Sequence, residues 1–470
     1  MSNKHLHLKE RRRMKLKTLT TAMILATVPM TGAFAAALDR SGQSIAAFLQ
    51  PGNYFETGIS VLDPDVSGKD TSGNATGDMA GDYYFPHAAL KLQLNENLSF
   101  GLLYDQPFGA DAEYTGKNNF VASNSDGVLP GTALTGGLPV VTGTPNGTLP
   151  NGTPVIKHPV TGAPLAIALG TPISGNTSVE VDTQNINLIF GFQPTENWNL
   201  YGGAVYQTIK GNVSLRGSAY SLYNGYDANF KETGDAGWLA GIAYQIPEIA
   251  LKASLTYRSE IDHDVDVKEN MPLINSMGAL LVGSGAISQA QIDAIKNADG
   301  KTTITTPQSV NLDLQTGIME NTVAFANIRW VNWKDFAIQP TQFGALSKLA
   351  GQMLPALNKP NGFNLVDYSD DQWSVTTGVG RKLNDKWAGN ISVGYDTGAG
   401  NPVTTLGPTE GYWNLGLGAQ FSPTPQTFIA GGVKYFWLGD ADAQTGAHSA
   451  AGTFNDNNAI AYGLKMGYKF

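Results

Sequence analysis

The sequence predicts an all-β protein, a 14-stranded antiparallel transmembrane β-barrel with a short N-terminal hatch segment. Three observations carry that expectation. Stretches alternating bulky apolar with small or polar residues recur along the chain, the connections between them are by turns short and long, and the last strand is aromatic on one face to its final residue.

Strand-like stretches lie near 54–62, 83–94, 98–105, 178–192, 198–215, 234–246 and 249–268. They continue near 304–318, 321–338, 364–382, 387–396, 411–421, 426–438 and 457–470. An even number suits a barrel whose two ends lie on one side. Links such as Asn95-Glu96-Asn97, Ile246-Pro247-Glu248 and Met319-Glu320 are tight turns. Every other link is long: 63–82, 106–177, 216–233, 269–303, 339–363, 397–410 and 439–456. Alternation of this kind marks an outer-membrane barrel with short periplasmic turns and extended outer loops, of which 106–177 and 269–303 are enlarged.

The final stretch, "NAIAYGLKMGYKF", sets Ile460, Tyr462, Leu464, Met466, Tyr468 and Phe470 on one face, with alanine, glycine and lysine on the other. A period of two separates faces in a strand, and lipid requires the polar one to turn inward within a closed sheet. In "LKASLTYRSEIDHDVDV" the same parity puts Leu255, Tyr257, Ile261, His263, Val265 and Val267 toward lipid. Lys252, Ser254, Thr256, Arg258, Glu260, Asp262, Asp264 and Asp266 are then expected inside. For 321–338 the faces stay open, because Val323, Phe325, Asn327 and Arg329 share a parity.

At the other end, Arg11, Arg12, Arg13, Lys15 and Lys17 precede an uncharged run from Thr18 to Thr31 and the small residues of "GAFAAALD", the pattern of a secretory signal. The expected division is a signal peptide at 1–35, a hatch segment at 36–52 and the barrel at 53–470. Without residues 1–35 the net charge falls from −9 to −15, which disfavours a nucleic-acid partner. There is no cysteine, hence no disulfide framework. A signal peptide with an aromatic C-terminus points to a Gram-negative outer membrane. Outer-membrane lipid and lipopolysaccharide would surround the barrel there, and the insertion machinery would read Phe470.

Several segments, "LTYRSEIDHDVDV" at 255–267, "SVLDPDVSG" at 60–68, "VNWKDF" at 331–336 and "GRKLNDKWAGNISVGYD" at 380–396, resemble the long-chain fatty-acid transporter (FadL) family. The resemblance runs in order from about Asp39 to Phe470. It implies fourteen strands, a monomer, and passive uptake of a hydrophobic small molecule: long-chain fatty acids or, in some branches, aromatic hydrocarbons and alkanes. It also implies an N-terminal hatch that plugs the lumen. Here only "LDRSGQSIAAFLQPG" precedes the first strand, so the hatch is shortened or rebuilt. In the family the third and fourth outer loops form an apolar landing groove, which would correspond here to Tyr223, Tyr226 and Phe230, and to Leu273, Ile274, Leu280 and Leu281. A helix is expected from Ser288 to Gly300.

A fatty acid needs a cation as well as apolar surface. Arg258, near mid-strand on the inward face, is the first candidate, with Lys252 below it; alternatively Arg258 pairs with Glu260 or a neighbouring strand as a brace. Phe48 and Leu49 are expected in the residual hatch at the bottom of the pathway or over the first strand. The histidines left after the signal, His87, His158, His263 and His448, form no catalytic pattern, and no phosphate loop, dinucleotide fingerprint or zinc spacing appears. No enzyme activity, cofactor or metal is therefore expected. A general porin would need opposed charges around a wide eyelet, and an adhesive or receptor barrel would rest on the 106–177 loop.

Overall fold

The computed structural model describes residues 37–123, 138, 140–141, 143–150, 152–168, 173–283, 285–298 and 300–470. The expected signal peptide and part of the 106–177 loop lie outside the described residues. Fourteen antiparallel strands close into a barrel, each paired with the next in sequence. They are β1 (Tyr54–Asp65), β2 (Tyr83–Gln93), β3 (Leu98–Asp105, resuming as Gly109–Glu113), β4 (Ser178–Thr195) and β5 (Trp198–Leu215). Next come β6 (Tyr226–Ile246), β7 (Leu251–Arg258, resuming as Ile261–Asn270), β8 (Lys301–Thr306, resuming as Ser309–Met319) and β9 (Thr322–Val331). The ring is completed by β10 (Gln372–Lys382), β11 (Trp387–Asp396), β12 (Tyr412–Phe421), β13 (Thr427–Leu438) and β14 (Asn458–Lys469). β14 closes on β1 in unbroken register from Tyr54↔Lys469 to Asp65↔Asn458, which leaves no open edge in lipid.

The lower half of the wall follows the period-two reading. Ile460, Tyr462, Leu464, Met466, Tyr468 and Phe470 are exposed, while Ala459, Ala461 and Lys465 are buried inside. Trp198 and Tyr206 of β5 face out eight residues apart. That spacing is roughly 26 Å along a strand, or about 20 Å of height at barrel tilt, close to a ~25 Å apolar band between aromatic girdles. On β9 the inward set is Val323, Phe325, Asn327, Arg329 and Val331, the parity the sequence left open.

The upper half of β7 reverses the expectation. His263, Val265 and Val267 are buried inside along with Ile261, and Asp262, Asp264 and Asp266 point out. The cause is phase. β6 carries one extra residue between Ile209↔Thr233 and Gly211↔Phe230, and β7 is interrupted at 259–260 opposite the Pro307–Gln308 break in β8. Above these points β6, β7 and β8 exchange faces. The amide of Ser259 donates to the carbonyl of Trp238, a residue of the upper aromatic belt, so the three aspartates stand above the apolar band.

Outer loops roof the mouth. Within 269–303 lie α1 (Pro272–Gly283) and α2 (Gln289–Lys296), the latter started by a capping box on Ser288. The expected helix is real but ends at Asn297, short of Gly300. A third helix, α3 (Thr341–Met353), was not evident in the sequence; the Glu269 carboxylate accepts hydrogen bonds from the amides of Gln342 and Phe343 at its start, both 2.8 Å.

The short hatch is bound to one side of the barrel. Its first residues pair with the interruption in β3: Arg40 N–H donates to Pro107 O (2.7 Å) and Gly109 N–H to Leu38 O (2.9 Å). Arg329 of β9 donates to both Asp39 oxygens (2.7 and 3.1 Å) and to Gln43 (3.1 Å). Asn311 and Ser309 of β8 bond Gly42 O and Gln43, Lys252 of β7 bonds Leu49 O, and Lys91 of β2 bonds Gln50 O. Phe48 is fully buried at a notch cut by glycines: a Cβ on Gly101 or Gly191 would lie 2.4 or 2.9 Å from its ring.

Leu464→Arg should lower stability by about 2–4 kcal/mol in denaturant titrations of liposome-inserted protein. Asp264→Leu should change it by less than ~1 kcal/mol, because that face is aqueous; a gain of ~2 kcal/mol or more would place it in hydrocarbon. Arg329→Met leaves Asp39 buried and unpaired, a loss of about 3–5 kcal/mol in hatch docking. Faster protease cleavage within 38–52 should report it, and unchanged cleavage would show that the pair does not hold the hatch.

Candidate functional site

The lower lumen contains a cavity of about 220 Å³ between the hatch and the barrel wall. Hatch residues Ser41, Ile45 and Leu49 line one side; Ser254, Arg258, Asn311 and Asp313 line the β7–β8 side; Asn390, Ser392, Gly416 and Gly432 line the far wall. Its size exceeds the ~150 Å³ of an apolar cavity known to hold benzene.

Arg258 is the unusual group here. It is 4% exposed, and among the described residues its Nε and Nη1 have no hydrogen-bond partner. The nearby carboxylates are already engaged by neutral donors. Asp105 accepts from Ser41 (2.5 Å) and Asn187 (3.3 Å), and Asp313 accepts from Asn327 (2.7 Å) and Ser254 (3.5 Å). Glu260 is exposed, within the strand break, and makes no ion pair with Arg258 among the described residues. A buried guanidinium with unused donors has a high affinity for any oxyanion of fitting size, since its donors have lost water without replacement.

Other cations of the lumen have partners among the described residues. Lys252 donates to Leu49 O at 2.7 Å, so the sequence candidate below Arg258 acts as a hatch tether. Lys465 lies 3.4 Å from Glu56, which in turn accepts from Tyr54 (2.5 Å). Leu49 lines the cavity, and Phe48 anchors the hatch against Tyr201, ring centroids 5.7 Å apart.

A second, smaller cavity of about 60 Å³ lies above the first, lined by apolar groups including Val179, Ile209, Val213, Val265, Ile304 and Phe230. Arg40, stacked 4.8 Å over the Tyr83 ring, borders both cavities. The phase change in β6–β8 is what delivers Val265 and Ile304 here.

Of the residues expected to form a landing groove, Phe230 lines the upper cavity and most of the others are buried in the roof. Tyr223 stacks on Phe343 (4.1 Å) and donates to its carbonyl, and Tyr226 donates to Glu269 (2.7 Å). Leu273, Ile274 and Leu281 of α1 pack inward, while the side chain of Leu280 lies outside the described residues. These residues thus form the core of a lid. Sequence reasoning missed Arg329, Lys91 and Asp39 as hatch ties. The signal was present in the ambiguous parity of β9, where an arginine sharing a face with apolar residues needs a buried partner.

Among solved structures, a Pseudomonas aeruginosa FadL homologue is similar at 14% identity and TM-score 0.61, covering 96% of this chain and 98% of that one. The Pseudomonas putida toluene transporter TodX is similar at 12% identity and TM-score 0.53, covering 90% and 91%. For the Ralstonia pickettii toluene transporter TbuX the values are 11%, 0.51, 95% and 97%. These likenesses establish the fold. No curated protein matches the sequence. The sequence pattern of the outer membrane protein transport proteins (OMPP1/FadL/TodX) matches residues 172–470. The chain therefore belongs to this family of Gram-negative outer-membrane barrels, which are channels for hydrophobic compounds.

Proposed function

We propose that this channel takes up long-chain fatty acids by passive diffusion, with Arg258 receiving the carboxylate in the lower cavity. The observation that carries this reading is the buried Arg258, which lines that cavity and whose Nε and Nη1 have no hydrogen-bond partner among the described residues. The methylene chain supplies the driving force: each buried CH₂ contributes about 0.8 kcal/mol, so ten give several kcal/mol after ordering costs. The apolar upper cavity and the lower one, which adds Arg258 to a largely apolar lining, then act as successive sites, which keeps a ligand from being trapped at either. In this reading the barrel works as a monomer among lipid and lipopolysaccharide, inserted through recognition of Phe470, and it transports without performing chemistry.

A second reading, an aromatic-hydrocarbon channel, draws on the apolar lining of the upper cavity and on the likeness to proteins named as toluene transporters. At about 60 Å³ that cavity is well below the ~150 Å³ that holds benzene, so a ring would require its lining to shift.

Uptake of labelled oleate and toluene by a bacterium without its own transporter of this family separates the two. Arg258→Ala should lower oleate uptake roughly 10–100-fold, the equivalent of one lost charge-assisted interaction, and leave toluene unchanged. Toluene uptake alone, insensitive to this substitution, would give the function to the second reading. Stability provides a separate check. Because Arg258 is buried without full pairing, Arg258→Met should be neutral or stabilising; a loss of about 3–5 kcal/mol would make it a structural brace.

A further inference from the structure

The hatch ties and the wall opposite them divide the lumen unequally. Every hatch tie named above lies on β2, β3, β7, β8 or β9. Across the barrel, two registers of paired inward residues run from strand to strand. One reads Gly380↔Asn390↔Gly418↔Gly432↔Gly463 across β10–β14. The row above it reads Gly378↔Ser392↔Gly416↔Lys434↔Ala461. On the β3–β9 side the inward residues include Leu103, Asn187, Tyr201, Arg258 and Arg329. Large side chains and the hatch therefore fill one half, and the cavity is the space left against the small-residue half.

We propose that substrate passes between a stationary hatch and the β10–β14 wall, with Gly418 and Gly432 setting the width of the passage. The small residues alone would not argue for a ligand; Arg258, buried and with unpartnered donors on the same cavity, does so independently. This route rests on the function proposed above and adds that the hatch need not leave the lumen. The geometry favours it on two grounds. Releasing the hatch would uncover Arg329 and Lys252 and break bonds on five strands together, whereas the free space already lies to one side. Glycine is also an expensive choice in a strand interior, and a directly opposed pair such as Gly418↔Gly432 has a reason where a passing molecule approaches the backbone.

The test uses the full chain in outer membranes, and the lack of native cysteines makes thiol chemistry site-specific. Gln43→Cys with Ser309→Cys, whose parent side chains touch at 3.1 Å, ties the hatch to β8 once oxidised or bridged by a short bis-methanethiosulfonate, which forms a disulfide with each cysteine and releases sulfinate. Oleate and toluene uptake are measured before bridging, after it, and after its reversal. Gly432→Phe narrows the passage, and Ser392→Cys coupled after assembly to a bulky thiol reagent narrows it without burdening folding. The expected result is transport of wild-type substrate within twofold after bridging, and at least a tenfold loss on narrowing by either route. Loss of transport on bridging that returns on reversal would show that the hatch must move and would overturn the proposal. Unchanged transport in the narrowed Ser392→Cys protein would overturn it too. If wild-type chain carried neither oleate nor toluene, the function itself would fall, and the route with it; transport by wild type with either contrary variant result rejects the route alone.

Discussion

The architecture depends on the exclusion of polar groups from hydrocarbon. A sheet that crosses a bilayer must close, and every charge its strands carry must turn inward or stand above the apolar band. Closure of β14 on β1 meets the first demand. The second makes the lumen a reservoir of buried charge, and the structure uses that charge in two ways. Arg329, Lys252 and Lys91 donate to hatch groups and fix the plug, whereas Arg258 keeps unpartnered donors among the described residues. One polar lumen thus supplies both the lock and the candidate recognition site.

Much of this was legible in the sequence, because lipid enforces a strict period of two. The residues of β14 sort by face as read, since a single phase persists from Asn458 to Phe470 and nothing but lipid meets one side. The reading failed where that phase changes. Ile261, His263, Val265 and Val267 alternate correctly yet point the other way, because the bulge in β6 and the paired breaks in β7 and β8 rotate the upper strands. Such a local irregularity leaves no periodic trace. Pro107 and Pro307 were the available hints, since proline removes a ladder hydrogen bond and sits at breaks.

Individual site residues were legible to the degree that their role follows from position in a strand. Arg258 could be placed on the inward face from its neighbours alone. Whether it was paired could not, because its possible partners, Asp105 and Asp313, lie far away in sequence and are consumed by Ser41 and Asn327. Lys252 had the same credentials and proved to be a tether, for the carbonyl it binds belongs to the hatch. The aromatic residues of the third outer loop and the apolar ones of the fourth were expected to form a landing groove. Sequence composition could not tell a landing surface from the core of a roof, which is what Tyr223, Tyr226 and Leu273 form.

The central claim is that a fatty-acid carboxylate meets Arg258 inside the lower cavity. Crystals grown with a long-chain fatty acid brominated at its methyl end test it most directly, because bromine fixes the direction of the chain. The account predicts a carboxylate oxygen at ~2.7–2.9 Å from the Arg258 guanidinium, with the bromine along the β10–β14 wall. A ligand found only in the upper apolar cavity, or one whose carboxylate avoids Arg258, would contradict it.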